Sequence, residues 1–263
     1  CFIRREDLFN SISSSSNTAY HTRYDIDTII WPEQLLTQDI FRILSVPEAY
    51  EVEYFAEGRV RLLEYKITSD SPLCNTRIVD YTFPPHVLAV GVTRKNELFI
   101  ADGQTTILEN DKVALMGTTA GLDSLAAGLF EQANPIKTVT VIGGGSVGFM
   151  LAKNLERSRI RVKIIERKGA RCQFLADTLH KSLILQGDGT DLELLENEAV
   201  AESDVTVCVT DNDEKNLLCG LLAKQLGSRR IITRVSNIRN AELFERVGID
   251  VVVSPHDSAL KEL

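Results

Sequence analysis

The sequence lacks any long hydrophobic run. No uncharged stretch approaches the ~20 apolar residues that cross a bilayer, and the longest, 138–152, is broken by glycines. The start, CFIRREDLF, is charged and has no apolar core, so no signal peptide is expected. Five cysteines (Cys1, Cys74, Cys172, Cys208, Cys219) form neither a C-x-x-C nor any metal spacing, and four histidines (His21, His86, His180, His256) are scattered. No metal site is expected. Cys208 and Cys219 lie in apolar surroundings, which suits buried, reduced thiols in a cytosolic protein. A basic excess is also missing. The net charge of −8 falls entirely in residues 1–134, where 11 basic residues meet 19 acidic ones; from Pro135 onward the signs balance at 18 each. No nucleic-acid partner is expected from that pattern.

What is present is an ordinary globular composition, 44% hydrophobic and 25% charged, with length enough for two domains. The chain is organised around residues 138–166, TVTVIGGGSVGFMLAKNLERSRIRVKIIE. An apolar run, Val139 to Ile142, reads as a buried strand. Gly143, Gly145 and Gly148 follow in G-x-G-x-x-G spacing, then an amphipathic segment, a second apolar run from Val162 to Ile165, and an acid, Glu166. Glycines alone are weak evidence, but strand, turn, helix, strand and acid in this order mark a mononucleotide-binding βαβ unit. Gly143 permits the tight turn, Gly145 lets backbone approach a pyrophosphate, and Gly148 lets helix and strand pack closely. The turn, including Ser146 and Val147, presents free N–H groups at a helix start to a phosphate. Glu166 is placed to accept from ribose hydroxyls and to repel a 2′-phosphate, so NAD or an adenosine nucleotide is favoured over NADP; Arg167 and Lys168 weaken that exclusion.

From Lys137 the α/β alternation is regular, with strands expected at 138–142, 161–166, 182–186, 204–209, 229–233 and 250–253. Helices are expected near 146–157, 168–180, 191–197, 212–226 and 238–246. Such crossovers force parallel, right-handed pairing. Ligands of such sheets lie beyond the strand carboxyl ends. There the sequence places Asp188 and Gly189 after strand three, Thr210, Asp211 and Asn212 after strand four, and Arg234 after strand five. Asp188 and Asn212 have a second reading as helix caps, and Arg234 as the partner of a surface acid. No His or Lys is placed for acid–base work, so no catalytic residue is expected and an NAD-dependent oxidoreductase is the weaker alternative.

Residues 52–130 have another rhythm. A strand is expected at 60–67, a short helix built on Leu73, Ile78 and Val79, a hairpin of 87–93 with 98–100, a strand at 112–116 and a helix at 122–130. Before it, 11–18 (SISSSSNT) is a low-complexity loop, 27–30 a strand, and Pro32 opens a helix through Leu36, Ile40 and Leu44. RYDIDTIIWP at 23–32 echoes RVGIDVVVSP at 246–255, each a strand running into a Pro-started helix, which suggests a duplicated architecture. The expected fold is α/β, a doubly wound parallel (Rossmann-like) sheet plus a small α+β ligand-type module. Residues 1–59 are expected to be the tail and crossover helix of a first, incomplete nucleotide-binding domain, 60–134 the module, and 135–263 the second nucleotide-binding domain.

The pattern VTVIGGGSVG, VKIIERK, LQGDGTD, VCVTDNDEKN and IITRVSN resembles the regulator-of-potassium-conductance fold, and more closely the TrkA-type regulatory components of bacterial potassium uptake systems. The family's glycine turn falls on Gly143, Gly145 and Gly148, its ribose acid on Glu166, its G-D-x-[ST]-D turn on 187–191 and its T-[ND]-x-D-E-x-N stretch on 210–216. Residues 60–130 resemble the family's C-terminal module. The resemblance implies a cytoplasmic, peripheral protein on the inner face of the cell membrane. It further implies a homo-oligomeric ring beneath a membrane potassium-translocating subunit, gated by NAD or NADH, with ATP or ADP at the same site. A first glycine turn and a second C-terminal module, which the tandem layout contains, are absent from this sequence. A channel or efflux antiporter is the alternative partner.

Overall fold

The structure is a computed structural model and describes residues 29–261, apart from Pro47, Asn96 and 131–134. The expected loop at 11–18 and most of the echo segment at 23–28 lie outside the described residues. The chain forms two compact units, one of residues up to Phe41 together with those from Ile136 onward, the other Arg42–Pro135.

Helix α1 (Pro32–Ser45) follows Ile30, which makes a single β-bridge. Proline at its first turn has no amide to leave unpaired, Glu33 suits the positive helix start, and Arg42 the negative end. Leu36, Ile40, Ile43 and Leu44 form its buried stripe.

The second unit is an antiparallel sheet of β1 (Glu51–Phe55), β2 (Val60–Lys66), β4 (Val87–Arg94), β5 (Glu97–Ile100) and β7 (Lys112–Thr118), with a side ribbon of β3 (Thr76–Arg77) and β6 (Thr106–Ile107). The sheet order is β1-β2-β7-β4-β5, and a bulge at Val90 interrupts the β4–β7 register. Alternation in β2 and β7 turns Leu63, Tyr65, Val113 and Leu115 inward, where Leu122 and Leu125 of helix α2 (Thr119–Leu129) complete the core. Thr118 caps α2 by accepting from the Gly121 amide. Two details differ from the sequence reading. No α-helix forms around Leu73, Ile78 and Val79: Asn75 takes a left-handed conformation (φ 59°), Thr76–Arg77 pair with Thr106–Ile107, and only a three-residue 3₁₀ helix follows at Ile78–Asp80. The helical stripe fails because Leu73 is fully buried whereas Val79 is 59% exposed. β1 was unforeseen; it pairs with β2 across the expected 59/60 boundary.

From Pro135 the elements are β8 (Thr138–Ile142), α3 (Ser146–Leu155), β9 (Arg161–Glu166), α4 (Gly169–Thr178), β10 (Leu183–Gln186), α5 (Leu192–Asn197), β11 (Val205–Cys208), α6 (Asp213–Leu226), β12 (Arg230–Arg234), α7 (Ala241–Arg246), β13 (Val251–Val253) and α8 (Pro255–Leu260). Every strand pairing is parallel, in the order β10-β9-β8-β11-β12-β13. This is the doubly wound fold that the alternation implied. Helices cover both faces, so the strands are apolar almost throughout: Val139, Val141, Ile164, Val205, Val207 and Ile231 are all buried. The amino ends of the strands are tied by polar contacts. Asp204 accepts from the Lys137 and Thr138 amides, the Thr140 hydroxyl meets Ser203 at 2.6 Å, and the Thr206 hydroxyl meets Ser228 at 2.8 Å. The four described cysteines, Cys74, Cys172, Cys208 and Cys219, are free thiols.

In the second unit, Asp111 is 1% exposed; its two oxygens take a fork from Arg94 at 2.8 and 2.7 Å, and Oδ2 also takes the Leu108 amide at 2.8 Å. Asp111→Ala leaves the Arg94 Nε and the Leu108 amide unpaired, with the guanidinium held only by the Thr106 carbonyl. It is expected to destabilise the unit by about 2–4 kcal/mol, read as a lower urea midpoint at unchanged m. A loss below about 0.5 kcal/mol would reject this role for the pair.

Candidate functional site

The strand carboxyl ends open on a cleft of about 430 Å³ between the residues that follow β8, β9, β10, β11 and β12. It lies at the switch point, where β8 and β11 are neighbours and their connections leave in opposite directions. Of the sequence candidates, Gly143, Gly145, Ser146, Val147, Glu166, Arg167, Asp188, Gly189, Thr210, Asp211 and Arg234 line it. Gly148 and Asn212 do not.

The glycine turn is fixed by sterics. Gly143 has φ 109°, and a Cβ there would stand 2.9 Å from the Thr210 amide nitrogen. A Cβ on Gly148 would stand 2.0 Å from the Gly143 carbonyl oxygen, so this residue sets the approach of α3 to the turn rather than the wall of the cleft. Gly145 differs, since a Cβ there meets no heavy atom within 4 Å and points into open space. α3 starts immediately after it with no side-chain cap and no acid in its first turn. That leaves a helix start able to receive an anion.

Glu166 is bound to this turn. Its Oε2 accepts the Gly144 amide and its Oε1 the Lys168 amide, both at 2.8 Å. Each oxygen keeps further acceptor capacity. Asp188 is no helix cap; Asp191 caps α5 instead, accepting from the Glu193 and Leu194 amides. The Asp188 Oδ1 accepts the amide and hydroxyl of Thr190, while Lys215 donates to Oδ2 at 3.2 Å and Arg167 stands 3.8 Å from it. Those Thr190 bonds, then Lys215, hold the Asp188 carboxyl below the usual range. Asn212 takes the structural reading, capping α6 by accepting the Lys215 amide at 2.7 Å. The Thr210 loop is pinned by buried Asn216, whose Oδ1 accepts the Thr210 amide and hydroxyl and whose Nδ2 donates to the Thr210 and Arg234 carbonyls.

Arg234 has no acid partner among the described residues, and its Nε is shut from solvent without a hydrogen bond. It faces a cleft whose walls carry five cations (Arg167, Lys168, Arg171, Lys215, Arg234) against four acids (Glu33, Glu166, Asp188, Asp211), although the chain as a whole is acidic. Cys219 also lines the cleft. Burial, then the nearby Asp188 charge, push its thiol up to about 12, so it stays protonated at neutral pH and is no nucleophile.

The sequence did not point to Arg171, Lys215 or Glu33. Arg171 donates to the Gly144 carbonyl at 2.6 Å and stands 4.5 Å over the Phe174 ring, bracing the turn from α4. Lys215 reaches Asp188 from the first turn of α6. The sequence marked Glu33 only as part of a Pro-started helix, beside the echo of 246–255 at 23–32.

A TrkA-N domain model matches residues 139–255 and a TrkA-C domain model residues 62–128. The chain is 38% identical over 240 residues to a Methanosarcina mazei protein named Trk system potassium uptake protein TrkA homolog 2, covering 90% of this chain and 53% of that protein. It spans about half the length of the relatives it matches. Among solved structures, the GsuK RCK domain aligns at TM-score 0.66 and 18% identity over 99% of this chain and 59% of that one. A GsuK channel bound to NAD aligns at TM-score 0.66 and 18% identity, over 99% of this chain and 45% of that one. At this identity the likeness is one of fold.

The contrast between two glycines gives a stability test. Gly145→Ala is expected to change stability by less than about 1 kcal/mol, whereas Gly148→Ala costs at least ~2 kcal/mol because backbone must move. Thermal melting of both variants checks the difference; equal melting temperatures would contradict the packing assigned to Gly148.

Proposed function

We infer that this chain, whose residues 139–255 belong to the TrkA-N and residues 62–128 to the TrkA-C domain family, is a nucleotide-sensing regulatory component of a potassium transport system. It binds NAD or NADH in the cleft, with ATP or ADP as competing ligands, and releases the nucleotide unchanged. The observation that carries this reading is the Glu166 carboxylate, anchored by the Gly144 and Lys168 amides at the rim of an open glycine turn. An acid held in this way accepts from a ribose diol while the neighbouring helix start receives phosphate. Arg234, without an acid partner among the described residues, supports an anionic ligand from the opposite wall.

In this reading Gly143, Gly145, Ser146, Val147 and Gly148 shape the phosphate turn, and Glu166 and Arg167 flank the ribose. Asp188 and Gly189 border the base, and Thr210, Asp211 and Arg234 face the phosphates or the second half of the ligand. Asn212 serves through α6, the helix it caps. The names of the relatives, Trk system potassium uptake proteins, support a membrane potassium-translocating partner. A homo-oligomeric ring on the inner face of the membrane belongs to the same proposal. The nucleotide acts by binding one conformational state more tightly than another, since equal affinity would shift nothing.

Titration calorimetry with NAD, NADH, NADPH, ATP and ADP tests the site. Glu166→Ala, which removes an acceptor, and Gly145→Ala, which puts a Cβ in the space the phosphates need, are each expected to weaken NADH by about 10- to 100-fold, while the protein remains folded. NADPH is expected to bind at least ~10-fold more weakly than NADH, because Glu166 opposes a 2′-phosphate. Unchanged affinities in Glu166→Ala would remove the ribose assignment, and steady oxidation of NADH with a small carbonyl would favour an oxidoreductase instead.

A further inference from the structure

Glu33 reaches the cleft from far away in sequence, as the second residue of α1. It lines both the cleft and an adjoining cavity of about 440 Å³, walled by Pro32, Pro255, His256 and Leu260 among others. Arg234 is the other charged residue common to both spaces. Most other charges around the cleft are already engaged. Glu166 holds two amides, Asp188 holds Thr190 and Lys215, and Arg171 holds the Gly144 carbonyl. Glu33 and Arg234 are not. The Glu33 Oε2 and the Arg234 Nε are each shut from solvent without a hydrogen bond, and the two side chains form no ion pair with each other or with any described residue.

A first-turn acid needs no function, because the helix dipole alone favours it. Such an acid keeps its oxygens in water, however, and Glu33 Oε2 is out of water. Burying a polar atom without a partner is costly, and here two opposite charges face one space without closing on each other. A ligand group that donates to a carboxylate and accepts from a guanidinium satisfies both. A carboxamide or a ribose diol has that character. A terminal phosphate satisfies Arg234 but sets a like charge against Glu33.

We propose that Glu33 is a specificity-determining residue of the cleft, favouring a dinucleotide, whose second half offers neutral donors, over a nucleoside triphosphate, whose tail is an anion. The proposal rests on the nucleotide reading above and deepens it.

Calorimetric titration of the full chain with NADH and with ATP tests it, on the wild type, Glu33→Gln, Glu33→Asp and Glu166→Ala, with a melting curve for each. The wild type is expected to bind NADH more tightly than ATP. Glu33→Gln is expected to lower the NADH-to-ATP affinity ratio at least ~10-fold, mainly by tightening ATP. Glu33→Asp, which keeps the charge, is expected to retain discrimination against ATP. Glu166→Ala is expected to weaken both ligands alike, since both carry the adenosine ribose. An unchanged ratio in Glu33→Gln, with Glu166→Ala still weakening both ligands, overturns the role of Glu33 and leaves the nucleotide reading standing. Tighter wild-type binding of ATP than NADH overturns it as well. Equal losses of both ligands in a Glu33→Gln protein of unchanged melting do the same. No binding of either nucleotide by the wild type removes both readings.

Discussion

The carboxylate of Glu166 takes one amide from the glycine turn and one from the residue before α4, and the geometry of the cleft follows from those two bonds. Hydrogen bonds to an ionised acceptor contribute roughly 1.5–3 kcal/mol each. Here they join the end of β9 to the loop after β8, so the acid and the turn cannot drift apart. Arg171 closes the same corner from α4 by donating to the Gly144 carbonyl, with its guanidinium held over Phe174. Residue 144 is thus gripped at both its amide and its carbonyl. Its neighbour Gly145 is the one left facing open space.

The opposite wall is organised by a different device. Asn216 is fully buried and spends its side chain on the Thr210 loop and the end of β12, tying the residues after β11 to those after β12. Lys215, one residue earlier, points the other way to Asp188. One turn of α6 therefore holds three strand ends in register around the cleft. Its own start is secured by Asn212 and its end by Gly227, in a left-handed conformation at φ 115°.

Much of this was legible in the sequence, for physical reasons that also mark where the reading stops. Parallel strands buried on both faces read as nearly unbroken uncharged runs, so β8 and β11 stand out, and the glycine spacing identifies the turn. The short helix expected on Leu73, Ile78 and Val79 shrank to a 3₁₀ helix at Ile78–Asp80 because the segment before it is governed by one left-handed residue, Asn75, and by pairing with Thr106–Ile107, neither visible in local periodicity. β1 was missed because EVEYF carries a single buried position, Val52, with Tyr54 and Phe55 exposed. Within the cleft, residues fixed by backbone position, such as Gly143 and Glu166, could be anticipated. Those that arrive by side-chain reach could not: Arg171 comes from a helix face and Glu33 from the helix before the antiparallel unit. The two readings of Asn212 and Asp188 separated only when the amides they serve were seen.

The hydroxyl pairs beneath the sheet, Thr140 with Ser203 and Thr206 with Ser228, lock the strand ends opposite the cleft. Together with the braced turn above, they leave little chain to be ordered by whatever enters. Association at such a mouth carries the modest negative heat-capacity change of surface removed from water, not the large one of a segment that folds as it binds. The entropy lost on binding then falls mainly on the ligand, whose torsions must settle into a frame set before it arrives.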